Sequence, residues 1–156
     1  MDIYEEDKRI TLELTEEQAR AAQMGLDLFM RLSMGQFEQV TSIAQMGHIN
    51  KRVGVTATPE AEQPSTDDIE DLANLMTRAK EIFGHSSGAS FGVRNKFVSK
   101  PAQRAYEVER TINNALGMFD DDSIGEVLPM MSRILVDEPL PKAAVIEIEI
   151  DTDEAS

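Results

Sequence analysis

The stretch 10-ITLELTEEQARAAQMGLDLFM-30 joins an alternating pattern to a helical one, and the fold prediction starts from it. From Arg9 to Leu14 apolar and polar residues alternate, which predicts a half-buried β-strand. The side chains that this strand would turn toward a core are Ile10, Leu12 and Leu14. A strand with one apolar face needs a partner strand and a layer to cover it, so the rest of the chain has to supply both.

A helix is predicted to follow this strand directly. Thr15 and Gln18 have the spacing of a capping box, in which the Thr15 hydroxyl accepts a hydrogen bond from the Gln18 amide and the Gln18 side chain returns one. The apolar residues of the buried face recur at helical spacing, at Ala19, Ala22, Leu26, Phe29 and Met30. Gly35 then interrupts the pattern at a cost of about 1 kcal/mol relative to Ala, which predicts a bend or a break.

Further helices and one more strand are predicted downstream. The helices run over about 37–46, 66–83 and 101–119, and a further short helix begins near Asp122 or Ser123. Gly47 and Gly84 favour the ends of the first two, and Pro101 favours the start of the third. The residues from Val145 to Ile150 alternate from Ile146 onward and predict the second strand.

These elements predict a single α+β domain over residues 1–156. It is mostly helical, with long helices packed on a small antiparallel sheet formed by the N- and C-terminal strands. An exposed acidic loop is predicted at about 53–66 and a disordered acidic tail at about 151–156. Because a two-stranded sheet is marginal alone, we expect protomers to complete the core as a homodimer or a higher homo-oligomer.

Composition and charge argue against several classes of function. The formal net charge is −14 over 156 residues, which argues against binding of duplex nucleic acid. The chain has no cysteine, which excludes a disulfide framework, a thiolate zinc site and a cysteine nucleophile. It has no apolar run of about 18 residues and no leader-like N-terminus, so we expect a cytoplasmic protein without a membrane span. No metal or cofactor is predicted.

The segment Gly84–Gly88 reads GHSSG and matches the G-x-S-x-G pattern of a nucleophile elbow. In that motif a strand leads into a tight turn that lifts the serine toward a histidine and an oxyanion hole. Here a predicted helix precedes the motif, so a helix end followed by a Gly/Ser turn is the favoured interpretation. A small hydrolase that uses Ser86 and His85 is kept as an alternative.

Basic residues are concentrated around the same motif. The segment 78–104 has one acidic residue and six basic ones, which are Arg78, Lys80, Arg94, Lys96, Lys100 and Arg104. These side chains either pair with the acidic surface elsewhere or form an anion pocket. The pocket is favoured by Gly84, Gly88 and Gly92, which let the backbone approach a ligand, and by the predicted helix N-terminus at Pro101.

Seven residues of this region are candidate ligand contacts: Phe91, Arg94, Asn95, Lys96, Arg104, Arg110 and Asn113. Phe91 has the chemistry to stack on a base, or it anchors the loop to the core. Asn95 reads a base edge or a ribose hydroxyl, or it caps a turn. Arg110 and Asn113 share a helix face, either to reach one ligand or as a solvated surface.

Three segments together resemble a known family. They are ITLELTEEQARAAQMGLDLFMRLSMGQFEQV at 10–40, SFGVRNKFVSKPAQRAYEVERTINNAL at 90–116 and DEPLP at 137–141. Their order is similar to that of the small phage proteins of the Thoeris anti-defence family, which act as sponges for cyclic ADP-ribose signals. The resemblance covers most of the chain apart from 53–66 and the tail. It implies a non-enzymatic homo-oligomer of strands and long helices that holds a cyclic nucleotide at a protomer interface without cleaving it.

The resemblance also implies roles for individual residues. The loop aromatic would be Phe91, the polar loop group Asn95 or a neighbour, and the helix groups Arg110 and Asn113. The amide of Asn113 supplies no charge for a phosphate, so a related cyclic di- or trinucleotide is an alternative signal. We therefore expect a phage anti-defence sponge in the cytoplasm of the infected bacterial host. The alternative from another class is an acidic protein-binding inhibitor of a host defence protein.

Overall fold

The computed structural model describes residues 8–54, 60–128, 133–135 and 138–149. The helices in these ranges are α1 (Glu16–Ser33), α2 (Glu38–Gln45), α3 (Thr66–Ile82) and α4 (Lys100–Asp120). The strands are short: β1 (Lys51–Val53), β2 (Glu60–Glu62), β3 (Gly125–Glu126) and β4 (Ala144–Val145). The prediction of a mostly helical α+β fold is confirmed.

The helix boundaries follow from local capping. Thr15 Oγ1 accepts from the Gln18 amide at 3.2 Å, and Gln18 Oε1 accepts from the Thr15 amide at 3.0 Å, so the predicted capping box is confirmed. Ser65 and Asp68 form a second capping box before α3. α1 ends ahead of Gly35, whose φ of +89° is a conformation that glycine adopts at little cost. The predicted break at this glycine is also confirmed.

α1 and α4 pack antiparallel and form the larger helix pair. Arg20 near the start of α1 bonds to Asp120 at the end of α4 at 2.8 Å, whereas Met30 and Ala102 meet near the opposite ends. α2 packs on α3 in the same way, as a second pair. The core cluster lies between the α1/α4 pair and the segment that precedes α4, and it consists of Met30, Met34, Val98 and Ala102, with Phe91, Val93 and Tyr106 packed against it.

The two small sheets differ from the predicted one. β1 pairs antiparallel with β2, and β3 with β4, so the prediction of a sheet formed by the N- and C-terminal strands is wrong. Residues 8–14 have no regular secondary structure, and Ile10 and Leu12 are 97% and 73% exposed. Ile146 and Ile148, beyond β4, are also exposed. An alternating pattern specifies which face is apolar but does not specify the strand that pairs with it.

Other differences concern the connections. The short helix predicted near Asp122 or Ser123 is wrong, because Asp122 has a φ of +53° and the chain then enters β3. A left-handed residue at this point ends α4 and turns the chain away from the helix axis. The predicted loop 53–66 contains β2, and most of its described residues are exposed. The predicted tail at 151–156 lies outside the described residues.

Candidate functional site

The glycine-rich loop, residues 84–99, connects α3 to α4 and is anchored on the turn between α1 and α2. The Phe91 amide donates to the Met34 carbonyl at 2.8 Å. The His85 ring lies against Gly35, and a Cβ built on that glycine would lie 2.4 Å from His85 Nε2. Only a residue without a side chain permits this contact. The loop is therefore docked on the helices, and Gly35 sets how closely it approaches.

An aromatic cluster runs across the glycine-rich loop. The His85 and Phe91 rings meet edge to face with centroids 4.7 Å apart, and the Phe91 and Phe97 centroids are 5.5 Å apart. Phe91 is half-buried against the core, which is the anchoring role, whereas Phe97 is 68% exposed. Lys96 Nζ lies 5.1 Å from the centroid of the Phe97 ring. The exposed aromatic surface beside a cation is therefore Phe97, which sequence reasoning missed although it adjoins Lys96.

The polar candidates of the loop lie on one turn. Asn95 Oδ1 accepts a hydrogen bond from the Phe97 amide at 2.9 Å, so Asn95 caps this turn. Arg94 and Lys96 are exposed on either side of it. The turn therefore presents two cations and one aromatic ring to solvent.

Two of the candidates on α4 have partners within the chain. Arg104 Nε donates to Glu138 Oε1 at 2.7 Å. This hydrogen bond raises the pKa of Arg104 and lowers the pKa of Glu138, because it favours the charged form of both groups. The Arg110 guanidinium lies over the Tyr106 ring, 5.2 Å from its centroid. Both arginines are thus held against the surface of their own protomer.

Asn113 belongs to the interface between α1 and α4. Its Oδ1 accepts from Gln23 Nε2 at 2.7 Å. Phe91 contacts Met34, which is about 16 Å farther along the axis of α1 than Gln23 at 1.5 Å per residue. Phe91 and Asn113 are therefore apart within one protomer, and they would share a small ligand only if a second protomer brought its own copy of one of them.

The Lys80 cleft is a cavity of about 420 Å³ between α2, α3 and the glycine-rich loop. Its polar lining includes Glu38, Thr41, Lys80, Ser87 and the backbone of Gly88. Lys80 is 5% exposed, and its Nζ donates to Glu38 Oε2 at 3.3 Å. Thr41 is 8% exposed, and its hydroxyl oxygen has no hydrogen-bond partner in the described part of the chain. A buried cation and an unpartnered hydroxyl therefore line one cleft beside the loop.

Sequence reasoning counted Lys80 among the basic residues but missed its burial. The signal is in the spacing of one apolar face of α3, which consists of Ile69, Ala73, Met76, Lys80 and the adjoining Phe83. A lysine inside such a face has to be paired or to meet a ligand, because an isolated buried charge is costly. Thr41 carries no comparable signal, since threonine is common on both faces of a helix.

The GHSSG motif lacks the context of a nucleophile elbow. α3 precedes it, and the Gly84 amide closes the end of that helix by donating to the Glu81 carbonyl at 2.9 Å. The ring of His85 packs against Phe91. Ser86 therefore lies on a helix end followed by a turn, which is the interpretation that the sequence favoured.

Among the described residues, no group of three or more His, Cys, Asp or Glu side chains is arranged to hold a metal ion. None of the helices in the described ranges combines the length and the apolar character that crossing a membrane requires. The chain matches no protein-family model, no curated protein and no solved structure.

Proposed function

We propose that this protein is a phage anti-defence sponge, which binds and sequesters a cyclic nucleotide immune signal of the cyclic ADP-ribose type without cleaving it. It would act in the cytoplasm of the infected bacterial host. The observation that carries the proposal is the Lys80 cleft, where a buried ammonium lies beside a basic, glycine-rich loop in a protein of net charge −14. The resemblance of segments 10–40 and 90–116 to the Thoeris anti-defence proteins supports the class of ligand.

The size and charge of the cleft suit a small anion. Its volume of about 420 Å³ falls within the range of about 300–1,000 Å³ that small-molecule sites occupy. A buried ammonium favours a ligand that brings negative charge into the cleft. The net charge of −14 disfavours long polyanions, because the protein as a whole repels them. A compact nucleotide satisfies both conditions.

The turn at 93–97 supplies the second half of the proposed site. Phe97 is the ring on which a base would stack, and Phe91 supports it from below at 5.5 Å between centroids. Arg94 and Lys96 flank that ring and attract the phosphates. In this proposal Phe91 positions the stacking surface and does not itself contact the base.

Calorimetry with a panel of nucleotides tests the proposal. The panel contains cyclic ADP-ribose, cyclic dinucleotides, a cyclic trinucleotide and linear ADP-ribose as the uncyclised control. We expect saturable binding of one cyclic compound at one site per protomer. Mass spectrometry of the material released by denaturation should recover that compound intact. The proposal fails if no cyclic compound binds, or if the bound compound is recovered as a hydrolysed product.

A matched pair of substitutions assigns the aromatic contact. Phe97→Leu removes the exposed ring of the loop, and Phe29→Leu makes the same change at a 45% exposed ring on α1. Phe97→Leu should weaken nucleotide binding about 2- to 10-fold, because the base loses its stacking partner. Phe29→Leu should leave nucleotide binding unchanged. If the two variants bind the nucleotide with equal affinity, Phe97 is not part of the binding site.

We also propose that the protein works as a homodimer. The support is the exposed Ile10 and Leu12 of the segment 8–14 and the exposed Ile146 and Ile148 beyond β4. Strand pairing between two copies would bury both stripes and satisfy the backbone groups of both segments. A second protomer would also supply the Asn113 that one chain holds far from its own Phe91.

A further inference from the structure

Lys80 is buried in an apolar helix face with only part of its hydrogen-bonding capacity used. An ammonium has three N–H donors. In the described part of the chain, Nζ makes one hydrogen bond, the 3.3 Å contact with Glu38 Oε2. This contact is longer than a charge-assisted hydrogen bond usually is, at about 2.7–2.9 Å. The Lys80 ammonium is therefore under-coordinated for a buried charge.

A second side chain without its full hydrogen bonding is Thr41 on α2, the helix that packs against α3. Helical threonines commonly donate to the carbonyl four residues earlier. Thr77 does so to Ala73 at 3.1 Å, and Thr111 does so to Glu107 at 2.9 Å. Thr41 lines the Lys80 cleft and has the same 8% exposure as Thr111, yet its hydroxyl has no partner among the described residues. The oxygen itself is almost fully buried, so its unused hydrogen bond can reach a ligand in the cleft once the side chain turns toward it.

The third side of the cleft is backbone. Ser87 and Gly88 of the glycine-rich loop line it, and Gly88 has a φ of +79° with no atom within 4 Å of the position of a Cβ. The backbone is therefore open to close approach by a ligand. Residues that carry an ammonium and two hydroxyls, which are Lys80, Thr41 and Ser87, therefore line one cleft together with Gly88.

We propose that the Lys80 cleft contains a phosphate subsite, in which a phosphate group of the ligand takes the place of the Glu38 carboxylate on the Lys80 ammonium. The subsite rests on the proposed function in that the phosphate belongs to the sequestered nucleotide. Glu38 is the group that leaves, because its side chain is 56% exposed and water solvates it once it turns outward. The Lys80 side chain is 7% exposed, so in this exchange the ammonium stays in place and the carboxylate moves.

The donors favour phosphate over a carboxylate ligand. A carboxylate ligand would only replace the Glu38 carboxylate on the Lys80 ammonium, and it would add few hydrogen bonds to the Thr41 and Ser87 hydroxyls. A phosphate has more acceptor oxygens and a larger negative charge, so it can bond to the ammonium and to the hydroxyls together. The exchange is therefore favourable for a phosphate group and close to neutral for a carboxylate.

Inorganic pyrophosphate is the probe, with acetate as the carboxylate control, in calorimetry on the full chain. We expect pyrophosphate to bind and acetate not to bind. Lys80→Met should weaken pyrophosphate binding about 10- to 100-fold, and Lys142→Met, which removes an exposed lysine, should not change it. Thr41→Val should weaken it about 2- to 10-fold, and Thr111→Val, which alters an equally buried but partnered hydroxyl, should not.

Glu38→Gln is the variant that separates binding from mere folding. Removing the competing carboxylate should tighten pyrophosphate binding about 3-fold or more, and a damaged fold would not produce a gain. Pyrophosphate binding that is unaffected by both Lys80→Met and Glu38→Gln overturns the subsite, as does absence of pyrophosphate binding by the unmodified chain.

The two proposals fail separately. If pyrophosphate binds through Lys80 and no cyclic nucleotide binds, the sponge function is wrong and the phosphate subsite stands. If a cyclic nucleotide binds the unmodified chain and Lys80→Met equally well, the subsite is wrong and the sponge function stands.

Discussion

The Lys80 ammonium lies 3.3 Å from the Glu38 carboxylate, and the two partners differ in exposure, with side chains 7% and 56% exposed. An ion pair with one buried and one solvated member is asymmetric. Loss of the buried cation leaves a carboxylate that water solvates, whereas loss of the carboxylate leaves a buried charge without a partner. Ligand binding and stability therefore depend on this pair in opposite ways.

The asymmetry predicts the sign of two stability changes. Lys80→Met should change the free energy of unfolding by about 0 to +2 kcal/mol, because an apolar side chain of similar length fills the same helix face. Glu38→Gln should lower it by about 1 kcal/mol, because the amide is a weaker partner for the ammonium. Urea unfolding followed by circular dichroism measures both. A larger loss for Lys80→Met than for Glu38→Gln would contradict the argument.

Gly35 and Gly25 differ in the space around the position of a Cβ, so the same substitution by alanine should have opposite effects on stability. At Gly35 a Cβ would lie 2.4 Å from His85 Nε2 on a backbone with φ of +89°, so Gly35→Ala should destabilise the protein by about 1–3 kcal/mol. Gly25 lies inside α1 with open space around it, so Gly25→Ala should stabilise by about 1 kcal/mol. Thermal melts of the two variants should shift in opposite directions.

Asp68 predicts a specific loss of stability in acid. Its hydrogen bond to Lys51, with those from Ser65, lowers its pKa from 3.8 to about 2. A carboxyl with a depressed pKa stabilises the fold above its unfolded pKa, and this contribution is lost as the pH falls through the folded pKa. Asp68→Asn should therefore have a lower free energy of unfolding than the unmodified protein at pH 7. This difference in unfolding free energy should disappear between about pH 4 and pH 2. A gap that is constant over this window would contradict the prediction.

Glu107 ties the segment at 133–135 to α4. It is 2% exposed, and one carboxylate oxygen accepts from the amides of Ile134 and Leu135, each at 3.0 Å. Glu107→Ala leaves two donors without a partner and should cost about 2–4 kcal/mol, whereas Glu107→Gln keeps an acceptor and should cost less. Hydrogen exchange checks the mechanism, since only the alanine variant should lose protection at Ile134 and Leu135.

The dimer proposal predicts a face-specific effect in the segment 8–14. Leu12→Asp places a charge on the apolar stripe, and Thr11→Asp places the same charge on the other face of an extended chain. Light scattering should give a dimer for the unmodified protein and for Thr11→Asp, and a monomer for Leu12→Asp. A compact monomer for the unmodified protein at micromolar concentration would sink the proposal.

The ends of α2, α3 and α4 were predictable to within one or two residues, whereas the further short helix predicted near Asp122 or Ser123 is wrong. The predicted ranges 37–46, 66–83 and 101–119 compare with Glu38–Gln45, Thr66–Ile82 and Lys100–Asp120 in the structure. The site was predictable only as a region. The basic segment and its glycines pointed to the loop, in which Phe91 is half-buried against the core cluster and Phe97 is exposed. Exposure depends on what the loop packs against, which lies far away in the sequence.

By itself the sequence determined the four helices, the break at Gly35 and the Thr15 capping box, because caps, glycines and apolar periodicity act over three or four residues. The strand partners, the pairing of Lys80 with Glu38 and the unpartnered hydroxyl of Thr41 depended on the tertiary structure. Each of these requires two segments distant in the chain to meet, and the free energy of that meeting depends on packing between elements. The Lys80 cleft, on which the proposed function rests, is formed in this way by packing of α2, α3 and the glycine-rich loop.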